Sequence, residues 1–335
     1  MCPVARNIIV ASKDQSHADR SLDLIRSAPL PAIIVKAGAR AREATMNFFT
    51  AERNNPNTRR AYACAVARFC RWADAHKVEL SELKPFIIAT YIKELQQQLA
   101  PPSVKQHLAA IREFLDSLCR QHVLEFNPAA PVKGPKHVVK VGKTPVLTPS
   151  EARQLIESID IHTIAGLRNR ALLGVMLFSF ARIGAVIHMN VEDYFTVNGR
   201  RWRFRLREKG GKHHVVPAHH VAEEYLFAYI AAAGIAGQKG TPLFRTLDRR
   251  RELTGTRMDP NDALRMIKRT ARKIGLSDTL CNHSFRATGI TTYLVRGGTI
   301  EKAANIAAHE STRTTQLYNR TSDSINLDEI ERIVI

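Results

Sequence analysis

The strongest constraint on the fold is an interruption in the apolar pattern. Asn127-Pro128 and the stretch from Pro131 to Pro149, with Lys133, Lys136, Lys140 and Lys143, break a regime of helical spacing that resumes only after Thr148. A basic, proline-bounded segment of this kind reads as an extended linker, and one continuous core cannot run across it. The chain must therefore build two cores, for which 335 residues are enough. The linker is placed at residues 133–146.

Upstream, residues 1–42 show weak periodicity and form an N-terminal extension without an assigned role. Residues 43–132 read as a small helical domain. Asn57 is the expected cap of a helix carrying Tyr62, Val66, Phe69 and Trp72 at three- and four-residue spacing, with Arg59, Arg60, Arg68 and Arg71 interspersed. A second helix is expected over roughly Pro85 to Leu99. A third, from Pro102-Ser103, carries Val104, Leu108, Ile111, Phe114, Leu115 and Leu118 on one face.

Residues 147–335 change period. Helices are expected after Thr148 and, as one or two buried segments, over Arg168 to Met189. The next apolar groups turn β-prone: Tyr194 to Val197 and Trp202 to Leu206 flank Asn198-Gly199, a pair suited to a two-residue type I′ turn. The turn Lys209-Gly210-Gly211-Lys212 leads into a third strand, His214 to Pro217. Helices resume at Ala222 to Ala233, at Pro260 to Ile274 with Asp259 as cap, and in pieces from Ser284 to Ile333. The last piece, Leu327, Ile330 and Ile333 within residues 325–335, is a short apolar stripe that must dock elsewhere to be stable. The expected fold class is mainly α with a small antiparallel β-sheet: an N-terminal helical domain followed by a mixed α/β domain.

Composition narrows the partners. Lys plus Arg number 50 against 31 Asp plus Glu, a net charge of +19, which favours a polyanion. Nucleic acid is preferred over a membrane surface, because no basic amphipathic anchor or lipidation motif is evident. The longest uncharged apolar run, Ala171 to Ala181, is far short of the ~20 residues that span a bilayer, and no signal-peptide pattern opens the chain. The five cysteines include no C-x-x-C pair, so neither a disulfide framework nor a zinc ribbon is indicated, and a cytoplasmic location is expected. His213, His214, His219 and His220 lack an interleaved carboxylate or cysteine and read as strand-end histidines, with no metal assigned.

Six residues carry the chemistry, none of them persuasive alone. Arg182 ends an apolar helix, Lys209 lies in a Gly-rich turn, His283 and Arg286 are three apart at a helix start, His309 ends a helix, and Tyr318 follows it. Together they change the reading. Two arginines can hold both non-bridging oxygens of a phosphate, histidines and a lysine can manage protons near neutrality, and a tyrosine can supply the nucleophile. That set describes phosphoryl transfer to a protein side chain.

In this order and spacing the chain resembles the tyrosine recombinase (phage integrase) family. Arg286 to His309 is 23 residues and His309 to Tyr318 is nine, and the segment His309-Glu-Ser-Thr-Arg-Thr-Thr-Gln-Leu-Tyr318 is close to the family's wording. The resemblance covers about residues 45–333. It departs at Ala185, where many members have Glu, at Ala307-Ala308 in place of Leu-Gly, and at Ala287, often His. The resemblance implies a core-binding domain over 43–132 and a catalytic domain over 147–335, whose segment 325–335 docks on a neighbouring protomer. It further implies site-specific cleavage and rejoining of DNA through a 3′-phosphotyrosyl intermediate at Tyr318, with no cofactor or metal. Arg182, Arg286 and His309 would stabilise the phosphate, His283 would take the tyrosine proton, and Lys209 would be the general acid, with Lys212 in the same turn as its alternative. Double-stranded DNA with inverted half-sites, a tetramer on that DNA and accessory DNA-bending proteins are the implied partners. Arg59, Arg60, Arg68, Lys105 and Lys212 are candidate DNA contacts. A non-catalytic DNA-binding regulator and a type IB topoisomerase-like enzyme are the alternatives: the intact set argues against the first, since a regulator needs no Tyr318 or Lys209, and the helical N-terminal domain and the tail after Tyr318 favour recombination over the second.

Overall fold

The computed structural model describes residues 30–52, 55–137, 142–197, 199 and 201–319. The chain divides into two compact units, Met1–Val138 and Val139–Ile335.

The first unit is helical among its described residues: α1 (Ala32–Lys36), α2 (Ala39–Thr50), α3 (Pro56–Ala75), α4 (Pro85–Gln98) and α5 (Pro101–Arg120). Its core gathers Phe48, Phe69, Ile88, Ile92, Leu108 and Phe114, with Phe48 and Phe114 edge to face at 5.4 Å. Packing begins earlier than Glu43. Ile33 and Ile34 of α1 are buried in this core, yet a five-residue helix is too short to show a period. The cap of α3 is Asn55, not Asn57: its side chain accepts from Asn57 N at 3.0 Å and Thr58 N at 3.2 Å. Pro56 decides this, since it lacks an N–H and suits the first helical position, leaving the cap to the residue before it.

The second unit opens with α6 (Pro149–Glu157), where the Thr148 hydroxyl accepts from Glu151 N and the Glu151 carboxylate accepts from Thr148 N. The expected apolar stretch is two helices, α7 (Ile164–Ser179) and α8 (Ile183–Ile187), parted by Phe180 in the left-handed region at φ +53°. Strands β1 (Tyr194–Val197), β2 (Arg201–Arg207) and β3 (His213–Pro217) form an antiparallel meander. Val197 pairs with Arg201, so three residues rather than two close the first hairpin, with Gly199 at φ +68°. That register overturns the type I′ expectation, whose Asn198 is itself outside the described residues. After α9 (His220–Ala233) comes a two-stranded sheet, β4 (Arg245–Leu247) with β5 (Leu253–Arg257), too short to register as alternation in the sequence. Helices α10 (Pro260–Lys273), α11 (Asn282–Val295), α12 (Ile300–Ile306) and α13 (Thr312–Gln316) complete the unit.

Helix α11 lies hard against the end of α7. A Cβ on Gly289 would stand 2.3 Å from Leu177 O and 2.7 Å from the Phe180 ring, so only glycine permits the approach. Among the described residues no helix is long and apolar enough to cross a membrane. The expectations for residues 1–29, for Lys140 and for the 325–335 segment lie outside the described residues.

Candidate active site

The bend between α7 and α8 positions the first arginine. Arg182 caps α8 with extended backbone (φ −70°, ψ 145°) and sends its side chain into a cleft of about 580 Å³, lined also by Gly184, Ala185, Glu208, Asn282 and His283. Its Nη1 meets Glu208 Oε2 at 2.5 Å, and the Glu208 side chain is only 2% exposed. A carboxylate so deeply buried needs its cation partner.

Helix α11 supplies the second pair of groups. Arg286 is 0% exposed: Nη1 donates to Phe180 O and Nη2 to Ala307 O, the latter at 2.6 Å. It therefore ties the Arg182-bearing bend to the end of α12. Burial, then the nearby Arg182, pulls its pKa down to about 10, which still leaves it charged at neutrality. Its Nε makes no well-formed hydrogen bond among the described residues, an unspent buried donor. One turn back, His283 Nε2 lies 2.6 Å from the Tyr318 hydroxyl. Burial first, then Arg286 and Arg182, hold the His283 pKa below its usual 6.5. The ring is neutral at pH 7 and accepts the phenol proton when its own is on Nδ1.

Tyr318 follows α13, is 8% exposed, and has its carbonyl held by Thr291 Oγ1 at 3.0 Å. The His309 ring stacks on it at 5.9 Å between centroids and 10° between planes. Burial, followed by the charges of Arg286 and Arg182, pushes His309 down to about 3. Its Nδ1 is 2.8 Å from Thr315 Oγ1, within a wholly buried residue. If that hydroxyl donates, Nε2 keeps the proton and is the ring's donor. Ala308, just before it, adopts φ +49°, a conformation that suits the glycine many relatives of this motif would place there.

The structure thus brings Arg182, His283, Arg286, His309 and Tyr318 together, with Arg182 and His283 lining the cleft. The backbone of Lys209 follows Glu208 directly and opens a one-turn 3₁₀ segment, Lys209–Gly211, closed by Glu208 N donating to Lys212 O at 2.8 Å. Lys212 is exposed on that turn. In the other unit, Arg60 and Lys105 are exposed and Arg59 is half-buried, while Arg68 donates to Gln98 Oε1 at 2.5 Å, linking α3 to α4. Reasoning from sequence missed Glu208 and Thr315. No local signal marks Glu208, while Thr315 was within the quoted motif but had no assigned task. Asp193 accepts from Asn190 N at 2.9 Å and pairs with Arg205 at 3.4 Å. The strand-end histidines make ordinary contacts: His214 with Ile306 O at 3.0 Å, and His219 stacked on Phe178 at 4.1 Å.

Known proteins resemble the chain in sequence and in fold. The model of the phage integrase family matches residues 145–324, and that of the phage integrase N-terminal SAM-like domain matches residues 46–122. The chain is 27% identical over 272 residues to tyrosine recombinase XerC of Thermodesulfovibrio yellowstonii, covering 79% of this chain and 86% of that protein. It is 27% identical over 280 residues to tyrosine recombinase XerD of Corynebacterium glutamicum, covering 80% and 89%. The fold matches the XerH site-specific recombinase bound to palindromic difH substrate in a post-cleavage complex, with TM-score 0.72, 16% identity, and 98% and 94% of the two chains covered. It also matches a lambda integrase tetramer bound to a Holliday junction, with TM-score 0.65, 15% identity, and 86% and 79% covered. With the family model spanning more than half of its length, the chain belongs to the phage integrase family, the tyrosine recombinases.

Proposed function

We propose that this chain cleaves and rejoins duplex DNA at specific sites, with Tyr318 as nucleophile. The observation that carries the reading is the 2.6 Å contact between Tyr318 OH and a neutral His283, beside the charged, buried Arg286. The phenol oxygen attacks the scissile phosphorus as its proton passes to His283 Nε2. Arg182, Arg286 and the Nε2–H of His309 stabilise charge on the non-bridging oxygens. The phosphorus–O5′ bond breaks, and the 5′-oxygen takes a proton from Lys209. The products are a 3′-phosphotyrosyl enzyme and a 5′-hydroxyl. A 5′-hydroxyl from another strand reverses the step, because the ester retains the bond energy.

Glu208 and Thr315 act through other residues: Glu208 aligns Arg182 and anchors the lysine-bearing turn, and Thr315 sets the His309 tautomer. The helical unit adds phosphate contacts through Arg59, Arg60 and Lys105. Two rounds of strand exchange require four protomers, joined by the 325–335 segment, acting on inverted half-sites in the cytoplasm. The test is Tyr318→Phe. Specific DNA binding should survive, and the covalent protein–DNA adduct seen with wild type on denaturing gels should vanish. An adduct formed by the variant would refute the assignment.

A further inference from the structure

Strand β2 reads Arg201-Trp-Arg203-Phe-Arg205-Leu-Arg207, and its two-residue period sends all four arginines to one face. Burial follows the alternation. Phe204 and Leu206 on the other face are 0% exposed, whereas Arg201, Arg203 and Arg207 are exposed and Arg205 is half-buried. Register identifies their neighbours across the sheet. Arg201 stands opposite Val197, Arg203 opposite Phe195 and Pro217, Arg205 opposite Val215, and Arg207 opposite His213. Within the paired registers no carboxylate stands opposite the row; the one that reaches it is Asp193, the residue before β1. Only Arg205 is engaged, with Asp193 at 3.4 Å and over the Phe195 ring at 4.6 Å. Arg201, Arg203 and Arg207 have no ion pair among the described residues.

A solvated sheet face needs polar groups, but it does not need one sign of charge. Opposite charges across strands would be favourable, and here they are replaced by apolar side chains, including exposed Val197 and Val215. For Arg201 and Arg203 the counter-charge must come from outside the sheet. The row has a pitch of about 6.6 Å and a length of roughly 20 Å. One DNA strand presents a phosphate about every 3.4 Å of duplex axis, so this length spans more than half of a ~34 Å turn. The row also has a direction: Arg207 lines the same cleft as Arg182, Glu208 and His283. A backbone track leading away from the reacting phosphate would look like this, with sugars against the apolar neighbours and phosphates against the guanidinium groups.

Resting on the recombinase reading above, we propose that this face of the β1–β3 sheet is a second phosphodiester-backbone site. Arg201 and Arg203 hold phosphates of the duplex being cleaved, several nucleotides from the scissile one, and Arg207 holds the cleft end. The test uses the full chain carrying Arg201→Gln and Arg203→Gln together, residues outside the catalytic set. Affinity for a duplex containing the cleavage site is measured against salt. Loss of two phosphate contacts should make the log–log slope shallower by about 1.8 and weaken binding, while single-turnover cleavage at saturating protein stays at the wild-type rate. Shortening the duplex on one side of the scissile phosphate should erase the difference between variant and wild type, and shortening the other side should preserve it. An unchanged slope with an unchanged melting temperature overturns the proposal. A changed self-association without DNA, at unchanged slope, gives the face to a protein partner and overturns it as well. If wild type formed no covalent adduct, the recombinase reading would fall, yet the slope difference would still locate a polyanion on this face.

Discussion

The two halves of the candidate active site are built differently. One half is carried by packed helices: Arg286 and His283 on α11, with His309 and Tyr318 flanking α13, all buried or half-buried and bonded to one another, to backbone carbonyls or, for His309, to the Thr315 hydroxyl. The other half hangs on a short hairpin whose turn has two glycines at φ +81° and +78°, and which is tied to the helices by Glu208 on Arg182 and by His214 on Ile306 O. The helical half is preorganised by the core, so its geometry exists before any substrate arrives. In the hairpin half the side-chain tie nearest the turn is one ion pair, Glu208 with Arg182. The lesson is where control resides: the helical groups are fixed by the core, while in the proposed mechanism delivery of the leaving-group proton rests on the hairpin turn.

The largest effect expected on the hairpin side is that of Lys209→Ala. Cleavage of normal DNA should fall by ~10² to 10⁴-fold and recover on a substrate whose bridging 5′-oxygen is sulfur, since a thiolate leaves without a proton. Lys212→Ala should lose only binding, on both substrates. Selective sulfur rescue of Lys212→Ala instead would transfer the role to that residue.

Glu208→Ala sharpens the comparison next. It frees Arg182 and the turn together, so single-turnover cleavage should fall by roughly 10 to 10²-fold. Ala185 lines the same cleft, and a second change, Ala185→Glu, supplies a carboxylate near Arg182 from α8. Sulfur rescue of Glu208→Ala, measured with and without Ala185→Glu, separates the two tasks. Rescue by sulfur alone means the turn was lost, and rescue by Ala185→Glu alone means Arg182 was lost.

The helical half predicts a smaller effect in pH. His283 and His309 are held below 6.5 in the folded protein, His309 at about 3, whereas in the unfolded chain both titrate near 6.5. Between those values the unfolded chain binds more protons, so stability is lost as pH falls below 6.5. The melting temperature of wild type should drop more between pH 7 and pH 5 than that of His309→Gln. An equal drop would mean that His309 is protonated in the folded state.

The smallest change is Ala308→Gly. An L-residue at φ +49° is strained by about 1–2 kcal/mol, part of which glycine returns as unfolded-chain entropy. A net gain of about 0.5–1 kcal/mol in chemical denaturation is expected. A loss would show that the Ala308 methyl is held by contacts that outweigh the strain.

Much of this was legible in the sequence because the signals were local. The apolar face of α5, the Thr148 capping box, the proline-bounded break and the 23- and nine-residue spacings all act over a few turns of chain, where 3.6-residue geometry dictates neighbours. Those features determined two cores, a mainly helical fold and the residues of the phosphate and nucleophile set. Tertiary structure decided the rest. Helix α1 and the β4–β5 sheet are too short to carry a period, and the left-handed Phe180 has α11 packed against its ring at Gly289 and its carbonyl held by Arg286, contacts that no local pattern announces. The pairing of Glu208 with Arg182 spans 26 residues, and no local pattern encodes it. Only the packing of the hairpin against the α7–α8 bend brings that carboxylate to the arginine.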